Sequence, residues 1–333
     1  MADFVGKKKD KKVTVADVPY RPDIIQAYLD RCGVPQETRD TLKHGSDADA
    51  VLRALTTLQQ HHMVAIPYEN LSLHYSETRD APHDTETVFE HVVNNKRGGN
   101  CVQLNLLFAE LLRSLGISAY RTAVRLNAAA SLSPAPGTDR SKVVYGPWLH
   151  IINIVTIGDK KYIVDTNFNQ FGSPFPVPLV HNEPATDVWT RRRRMIHERN
   201  PGWAETDQKW WRMQVMYEGD DCWMDVYCFQ EVEWMALDFA LLWAGIQKLD
   251  MGWFNHVVVC FRIILEDEVP VGWIVVRGDR LTRSYKGVVQ TIETFECESD
   301  RVAALSEHFG ISLSEHEQRQ IIGTKTELKE AFF

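Results

Sequence analysis

The chain has 333 residues, is 44% hydrophobic and 25% charged, and carries a net charge of −8. That length can bury a large core spread over two or three domains. The acidic balance argues against a general nucleic-acid binder, which is normally basic, and no apolar run of about 18 residues is present to span a membrane.

Residues 1–18 are polar and Lys/Asp-rich and read as a disordered extension. Lys7-Lys8-Lys9 is not followed by an apolar stretch, so no secretory signal is expected and the cytosol is the expected compartment. The apolar positions Ile24, Ile25, Tyr28 and Leu29 predict a helix that stops near Gly33-Val34-Pro35. Thr38 to Leu58 predicts another, whereas Ile66-Pro67-Tyr68-Glu69-Asn70-Leu71 reads as a loop or extended segment because of its proline. From Cys101, apolar residues recur at Leu104, Leu107, Phe108, Leu111, Leu112 and Leu115, with Gly116 as the stop. Strand character follows at Tyr120–Leu126, Ile151–Ile157 and Lys161–Val164, the last two joined by a tight Gly158-Asp159 turn. Ala128 to Arg140 reads as an exposed loop. Residues 173–210 read as a connector, with Arg191 to Arg194 a solvated or anion-facing stretch. Strands are expected at Met213–Tyr217 and Met224–Phe229, a helix over Glu231–Trp243, a hairpin from Val257–Leu265 and Gly272–Arg277, a strand at Val288–Glu293, and helices at Val302–Phe309 and Ser314–Ile322. The order is helices, then strands, then a mixed tail.

None of the six cysteines sits in a CxxC or zinc-spaced cluster, so no metal is expected, and reduced thiols fit better than disulfides. Cys260 lies in a strand-like apolar run and reads as core. Cys101 differs, because it heads a helix after Gly98-Gly99 instead of lying on the apolar stripe. The first turn of a helix favours an anion, and such a placement lowers a thiol's pKa. His150 in a strand and Asp165 at the end of the next one would lie close together in a hairpin. Asp165 would then accept a hydrogen bond from His150 and orient it toward a nucleophilic Cys101. Residue types and spacing stop at a thiol enzyme and do not name its reaction.

Taken together, four ordered segments resemble the arylamine N-acetyltransferase family. Arg97-Gly98-Gly99-Asn100-Cys101, with Asn105 following, resembles its nucleophile motif. Pro67-Tyr68-Glu69-Asn70-Leu71 resembles an upstream motif, His150 with Tyr162-Ile163-Val164-Asp165 resembles the histidine and aspartate segments, and Tyr28 to Gly33 resembles an early helix motif. The resemblance implies an α+β fold with an N-terminal helical domain (19–121), a central β-barrel (122–229) and a C-terminal α/β lid (230–333), built on a thiol-protease-like Cys-His-Asp core. It implies acyl transfer from acyl-coenzyme A, acetyl first and malonyl second, to an arylamine or arylhydrazine. In that scheme Cys101 is acylated, His150 is base and acid, and Asp165 orients it. Thr166, Asn167, Phe168 and Asn169 would contact the coenzyme, Phe168 and Tyr68 the amine. Glu69 and Arg97 would form a buried ion pair holding the Gly98-Gly99 loop. No nucleic acid, membrane or obligate protein partner is expected.

Three departures from the family pattern stand out. Gln103 replaces a glutamate two positions after the nucleophile, and Asn167 and Asn169 replace the glycines of an Asp-x-Gly-Phe-Gly loop. The Ala128–Arg140 loop and the chain length resemble fungal members, some of which use malonyl-coenzyme A. A papain- or transglutaminase-type hydrolase and an inactive binding module are the rival readings.

Overall fold

The computed structural model describes residues 20–130, 139, 141–203, 205–250 and 253–329. The 1–18 extension and most of the expected Ala128–Arg140 loop lie outside the described residues.

Helix α1 (Pro22–Arg31) starts on a proline, which costs nothing in a first turn whose N–H groups are unpaired anyway. The single helix expected over Thr38–Leu58 is two, α2 (Gln36–His44) and α3 (Ala48–Ala65). Asp47 breaks the run by accepting from the Ala50 N–H at 2.8 Å, which caps α3. A two-residue strand β1 (Tyr68–Glu69) and short helices α4 (Ser72–Tyr75) and α5 (Thr85–Phe89) lead to α6 (Cys101–Ser114). Leu104, Leu107, Phe108, Leu111 and Leu112 of α6 are buried in the helical core with Tyr28, Leu55 and Leu58, as the apolar spacing predicts.

The middle of the chain forms an eight-stranded antiparallel sheet. Its strands are β2 (Ser118–Asn127), β3 (Tyr145–Ile157), β4 (Lys160–Val164), β5 (Val177–Pro178), β6 (Ala185–Thr186), β7 (Arg192–Arg199), β8 (Lys209–Met216) and β9 (Met224–Phe229). The order is β5-β4-β3-β2-β9-β8-β7-β6, and the end strands β5 and β6 do not pair with each other among the described residues. The sheet curls instead, and Arg191 and Arg193, just before and at the start of β7, reach carbonyls in the segment that leaves β4. Residues 173–210, expected as a connector, thus supply β5, β6 and β7.

Helix α7 (Ala236–Lys248) crosses to a five-stranded sheet of order β1-β10-β11-β12-β13, with β10 (Val259–Glu266), β11 (Val269–Arg277), β12 (Arg280–Tyr285) and β13 (Val288–Thr294). Helices α8 (Glu298–Phe309) and α9 (Glu315–Gln320) follow, and α8 packs on β10 and β11 through Ala304, Leu305 and Phe309. Strand β1 pairs Tyr68 with Phe261 and Glu69 with Cys260, so a segment of the N-terminal third is the edge of the C-terminal sheet. No helix among the described residues is long and apolar enough to cross a membrane.

Candidate active site

The site is assembled where α6, the β3–β4 hairpin and β1 meet. Asn100 caps α6 with a reciprocal pair of bonds: its side chain accepts from the Gln103 N–H, and Gln103 Oε1 accepts from the Asn100 N–H, both at 3.0 Å. Gln103 Nε2 also donates to the Pro82 carbonyl at 2.9 Å, which a glutamate could not do. Cys101 is the first residue of the helix and only partly buried.

The Gly98-Gly99 pair is needed for close approach, not for a left-handed turn. A Cβ on Gly98 would stand 2.1 Å from the Pro67 carbonyl oxygen, and neither glycine has a positive φ. Gly99 accepts from the Glu69 N–H at 2.9 Å and so ties the loop before Cys101 to β1.

His150 lies in β3 beside an irregularity in the β2–β3 ladder: Val124 pairs with His150 but Arg125 with Trp148. Leu149 is the extra residue, and such a bulge re-aims neighbouring groups. Its carbonyl faces the Cys101 sulfur at 3.9 Å. His150 is buried, and its Nε2 is 2.8 Å from Asp165 Oδ2. Burial opposes the imidazolium, but the Asp165 carboxylate and then the neighbouring thiol outweigh it and push the His150 pKa up to about 10.

Asp165 is held on its other side as well. Oδ1 accepts from Asn105 Nδ2 and from the Asn167 N–H, both at 3.1 Å. Asn105 Oδ1 in turn accepts from the Thr166 N–H and hydroxyl, both at 3.2 Å, and from Asn153 Nδ2 at 3.3 Å. Gln59 donates to the Asp165 carbonyl at 3.3 Å. These supports were not assigned from sequence. Asn105 had a signal, since a residue four positions after Cys101 faces the same side of the helix. Gln59 and Asn153 had none.

A cavity of about 230 Å³ opens onto Cys101 and His150, lined also by Tyr68, Leu149, Asn167, Phe168, Trp253 and Phe254. The Phe168 ring packs on the His150 ring with centroids 4.7 Å apart. Trp253 and Phe254 come from the segment before β10 and had no signal in the local sequence. Thr166, expected at the coenzyme, does not line this cavity and is spent bracing Asn105. Asn169 opens a single 3₁₀ turn, and its side chain lies outside the described part of the structure.

Two ionic clusters stand behind these loops. Glu69 is buried; His91 Nε2 and Arg97 Nε lie 3.6 and 3.7 Å from its Oε1, while its Oε2 accepts from the Leu71 N–H at 2.6 Å. Burial opposes its charge, and these neighbours outweigh it to hold the carboxyl below its ordinary pKa. The expected buried Glu69–Arg97 ion pair is therefore present, at 3.7 Å and without a hydrogen bond, and Arg97 Nη1 also bonds Glu317 of α9 at 2.6 Å. The second cluster divides the stretch Arg191–Arg194, expected as solvated or anion-facing: Arg192 is exposed, whereas Arg191 and Arg193 face an anion inside the protein. Arg191 and Arg193 are buried, and both bond the buried carboxylate of Asp187 at 2.6–2.8 Å. Arg191 also donates to the carbonyls of Gln170 and Gly172, and Arg193 to that of Phe171.

A helix-borne thiol, a buried His–Asp pair and an aromatic cavity thus lie together in one place. The sequence profile described as N-acetyltransferase matches residues 51–318, and the chain belongs to the arylamine N-acetyltransferase family. It is 27% identical over 322 residues to the N-malonyltransferase FDB2 of Gibberella moniliformis, covering 92% of this chain and 93% of that one. It is 36% identical to arylamine N-acetyltransferase 2 of Mus musculus, but over 146 residues, 44% of this chain and 43% of that one. The arylamine N-acetyltransferase of Nocardia farcinica shares the fold with a TM-score of 0.72 at 22% identity, covering 91% of this chain and 94% of that one. That of Mycobacterium marinum, solved in complex with CoA, has a TM-score of 0.67 at 20% identity, covering 89% and 98%.

Proposed function

We propose that the protein moves an acyl group from acyl-coenzyme A to an aromatic amine through a thioester on Cys101, with malonyl-coenzyme A as the donor. The observation that carries the reading is the cavity opening on Cys101 and on a His150 held at 2.8 Å by Asp165. The Cys101 thiolate attacks the donor's thioester carbonyl; the C–S bond to coenzyme A breaks, and coenzyme A leaves as a thiol with a proton from His150. The amine then attacks the Cys101 thioester and gives its proton to His150, and the Cys101 thiolate departs. Asp165 keeps the ring in one tautomer throughout. Tyr68, Phe168, Trp253 and Phe254 offer flat apolar faces suited to an aromatic acceptor.

The donor order departs from the acetyl-first expectation. A sequence relative matched over nearly its whole length is named an N-malonyltransferase, whereas the sequence match to the mouse acetyltransferase covers under half of each chain. All six cysteines are free, which suits a reducing, cytosolic setting.

The test is mass spectrometry of the protein mixed with malonyl-coenzyme A alone, followed by addition of an arylamine. A malonyl adduct on Cys101 that the amine discharges is expected, with no adduct and no product in Cys101→Ala. Product formation by Cys101→Ala at the wild-type rate would remove the thioester. Cleavage of a peptide substrate without acyl transfer would favour the hydrolase reading.

A further inference from the structure

Asn167 lines the cavity beside Cys101 and His150 and is only 4% exposed. Neither its Nδ2 nor its Oδ1 has a hydrogen-bond partner. A buried amide left without partners is costly, so a sequence that keeps one has a use for it. The backbone does not supply that use. Asn167 is not among the residues with positive φ, so the position does not demand a residue tolerant of left-handed geometry. The loop is held by other groups: the Asn167 N–H bonds Asp165 Oδ1 at 3.1 Å, and Arg191 and Arg193 hold the carbonyls of residues 170–172. The unpartnered carboxamide therefore belongs to a residue in the wall of the cavity that an acyl group on Cys101 would enter, on a loop whose backbone is held by other groups.

Building on the thioester reading above, we propose that Asn167 is the residue that selects a carboxyacyl donor, its Nδ2 donating to the terminal carboxylate of a malonyl group on Cys101. A carboxylate cannot be buried without donors or a counter-charge. Here the amide supplies the donor, while His150 and the N-terminal end of α6 supply favourable charge around the same cavity. An acetyl methyl offers the amide nothing and leaves it unpaired in the complex. Discrimination then works both ways, since a site built to bond a polar group penalises a donor lacking it.

The test compares kcat/KM for malonyl-, acetyl- and butyryl-coenzyme A with one arylamine, in the wild type and in Asn167→Gly, Asn167→Ala and Asn167→Asp. Butyryl is the neutral probe of similar reach. The malonyl-to-butyryl ratio is expected to fall at least tenfold in the Gly and Ala variants, equivalent to about 1.4 kcal/mol. It falls further in Asn167→Asp, where like charges meet; if that variant does not fold, the Gly and Ala pair carries the comparison. Three results overturn the assignment. One is malonyl and butyryl changing in parallel, as a role in cavity volume would give. Another is all three donors falling together, as a role in folding would give. The third is a wild type that labels Cys101 equally from all three donors, which would leave the thioester reading standing. A wild type that labels from none removes both.

Discussion

Behind the loop that follows Asp165, the Asp187 carboxylate takes hydrogen bonds from Arg191 and Arg193 at 2.6–2.8 Å. Behind the loop that precedes Cys101, Glu69 faces His91 and Arg97 at 3.6 and 3.7 Å, and Glu69 Oε1, His91 Nε2 and Arg97 Nε make no hydrogen bond. Both are buried charge clusters that support one half of the site, but they hold it differently. The first converts its charges into bonds on three successive carbonyls, Gln170, Phe171 and Gly172, and so closes the curled sheet behind the Asp165 loop. The second combines attraction between neighbours at longer range with one bond from the Leu71 N–H to Glu69 and one from Arg97 to the partly exposed Glu317. Charge-assisted hydrogen bonds fix geometry, whereas attraction at longer range holds position more loosely. The loop after Asp165 is tied down by charge-assisted bonds; the loop before Cys101 is linked through Arg97 to Glu317 of the C-terminal helix α9.

The largest effect should come from breaking the tight cluster. Asp187→Asn leaves Arg191 and Arg193 buried without a counter-charge, and losing one partner of a buried ionic group costs about 3–5 kcal/mol. Chemical denaturation should show that loss, and a midpoint within error of wild type would show that the carbonyl bonds alone hold the loop. pH separates the two regions next. Burial raises the Asp187 carboxyl's pKa, but Arg193 and then Arg191 outweigh it and depress it, so the stability this group contributes is present above its ordinary pKa and lost as pH falls well below it. His150 has the opposite sign. Its folded pKa is raised from 6.5 to about 10, so its contribution is full below pH 6.5 and is lost as pH rises through 10. The Tm difference between wild type and His150→Gln should shrink steadily across that interval; a difference independent of pH would contradict a protonated His150.

The two clusters were not equally legible in the sequence. Arg97 and Glu69 stand in motifs that resemble those of a known family, so their proximity was expected; the missing hydrogen bond and the partnership with Glu317, 220 residues away, were not. Arg191 to Arg194 read as solvated or anion-facing, because a run of four cations in an acidic chain suits either. Strand alternation is what decides the matter: Arg193 points inward while Arg192 is exposed, and Asp187 waits upstream for the buried guanidinium groups. Helix α6 was readable because its apolar residues recur at helical spacing, and the nearness of His150 to Asp165 because a tight turn joins β3 and β4. Trp253 and Phe254 reach the cavity through tertiary packing alone. The unpartnered amide of Asn167 was visible in the sequence only as an asparagine at a position where the family has a glycine.

Arg97→Ala should be milder than Asp187→Asn. It removes a bond to a charged group, worth about 1.5–3 kcal/mol, yet Glu69 keeps His91 nearby and the Leu71 N–H at 2.6 Å. This lowers the loss expected from a fully bonded pair. A loss equal to that of Asp187→Asn would mean that Arg97 alone secures Glu69, and the contrast between loose and tight clusters would fail.

Glu317→Gln is the smallest perturbation and the sharpest probe of whether the loop before Cys101 depends on α9. The Glu317 side chain is 31% exposed, so solvent screens much of its attraction to Arg97. Glutamine also keeps an oxygen able to accept from Arg97 Nη1, and part-exposed pairs contribute about 0.2–1 kcal/mol. Glu317 has a second task that the substitution weakens as well, because its Oε2 accepts from the Ser314 N–H and hydroxyl at 2.8 Å and caps α9. Ser314→Ala disturbs the cap without touching Arg97, so the pair of variants separates the two tasks. If the Arg97 bond positions the loop, Glu317→Gln should slow alkylation of Cys101 by iodoacetamide more than Ser314→Ala does at matched stability. Equal rates in the two variants would confine α9 to a structural role and leave Glu69 and Gly99 as the supports of the loop before Cys101.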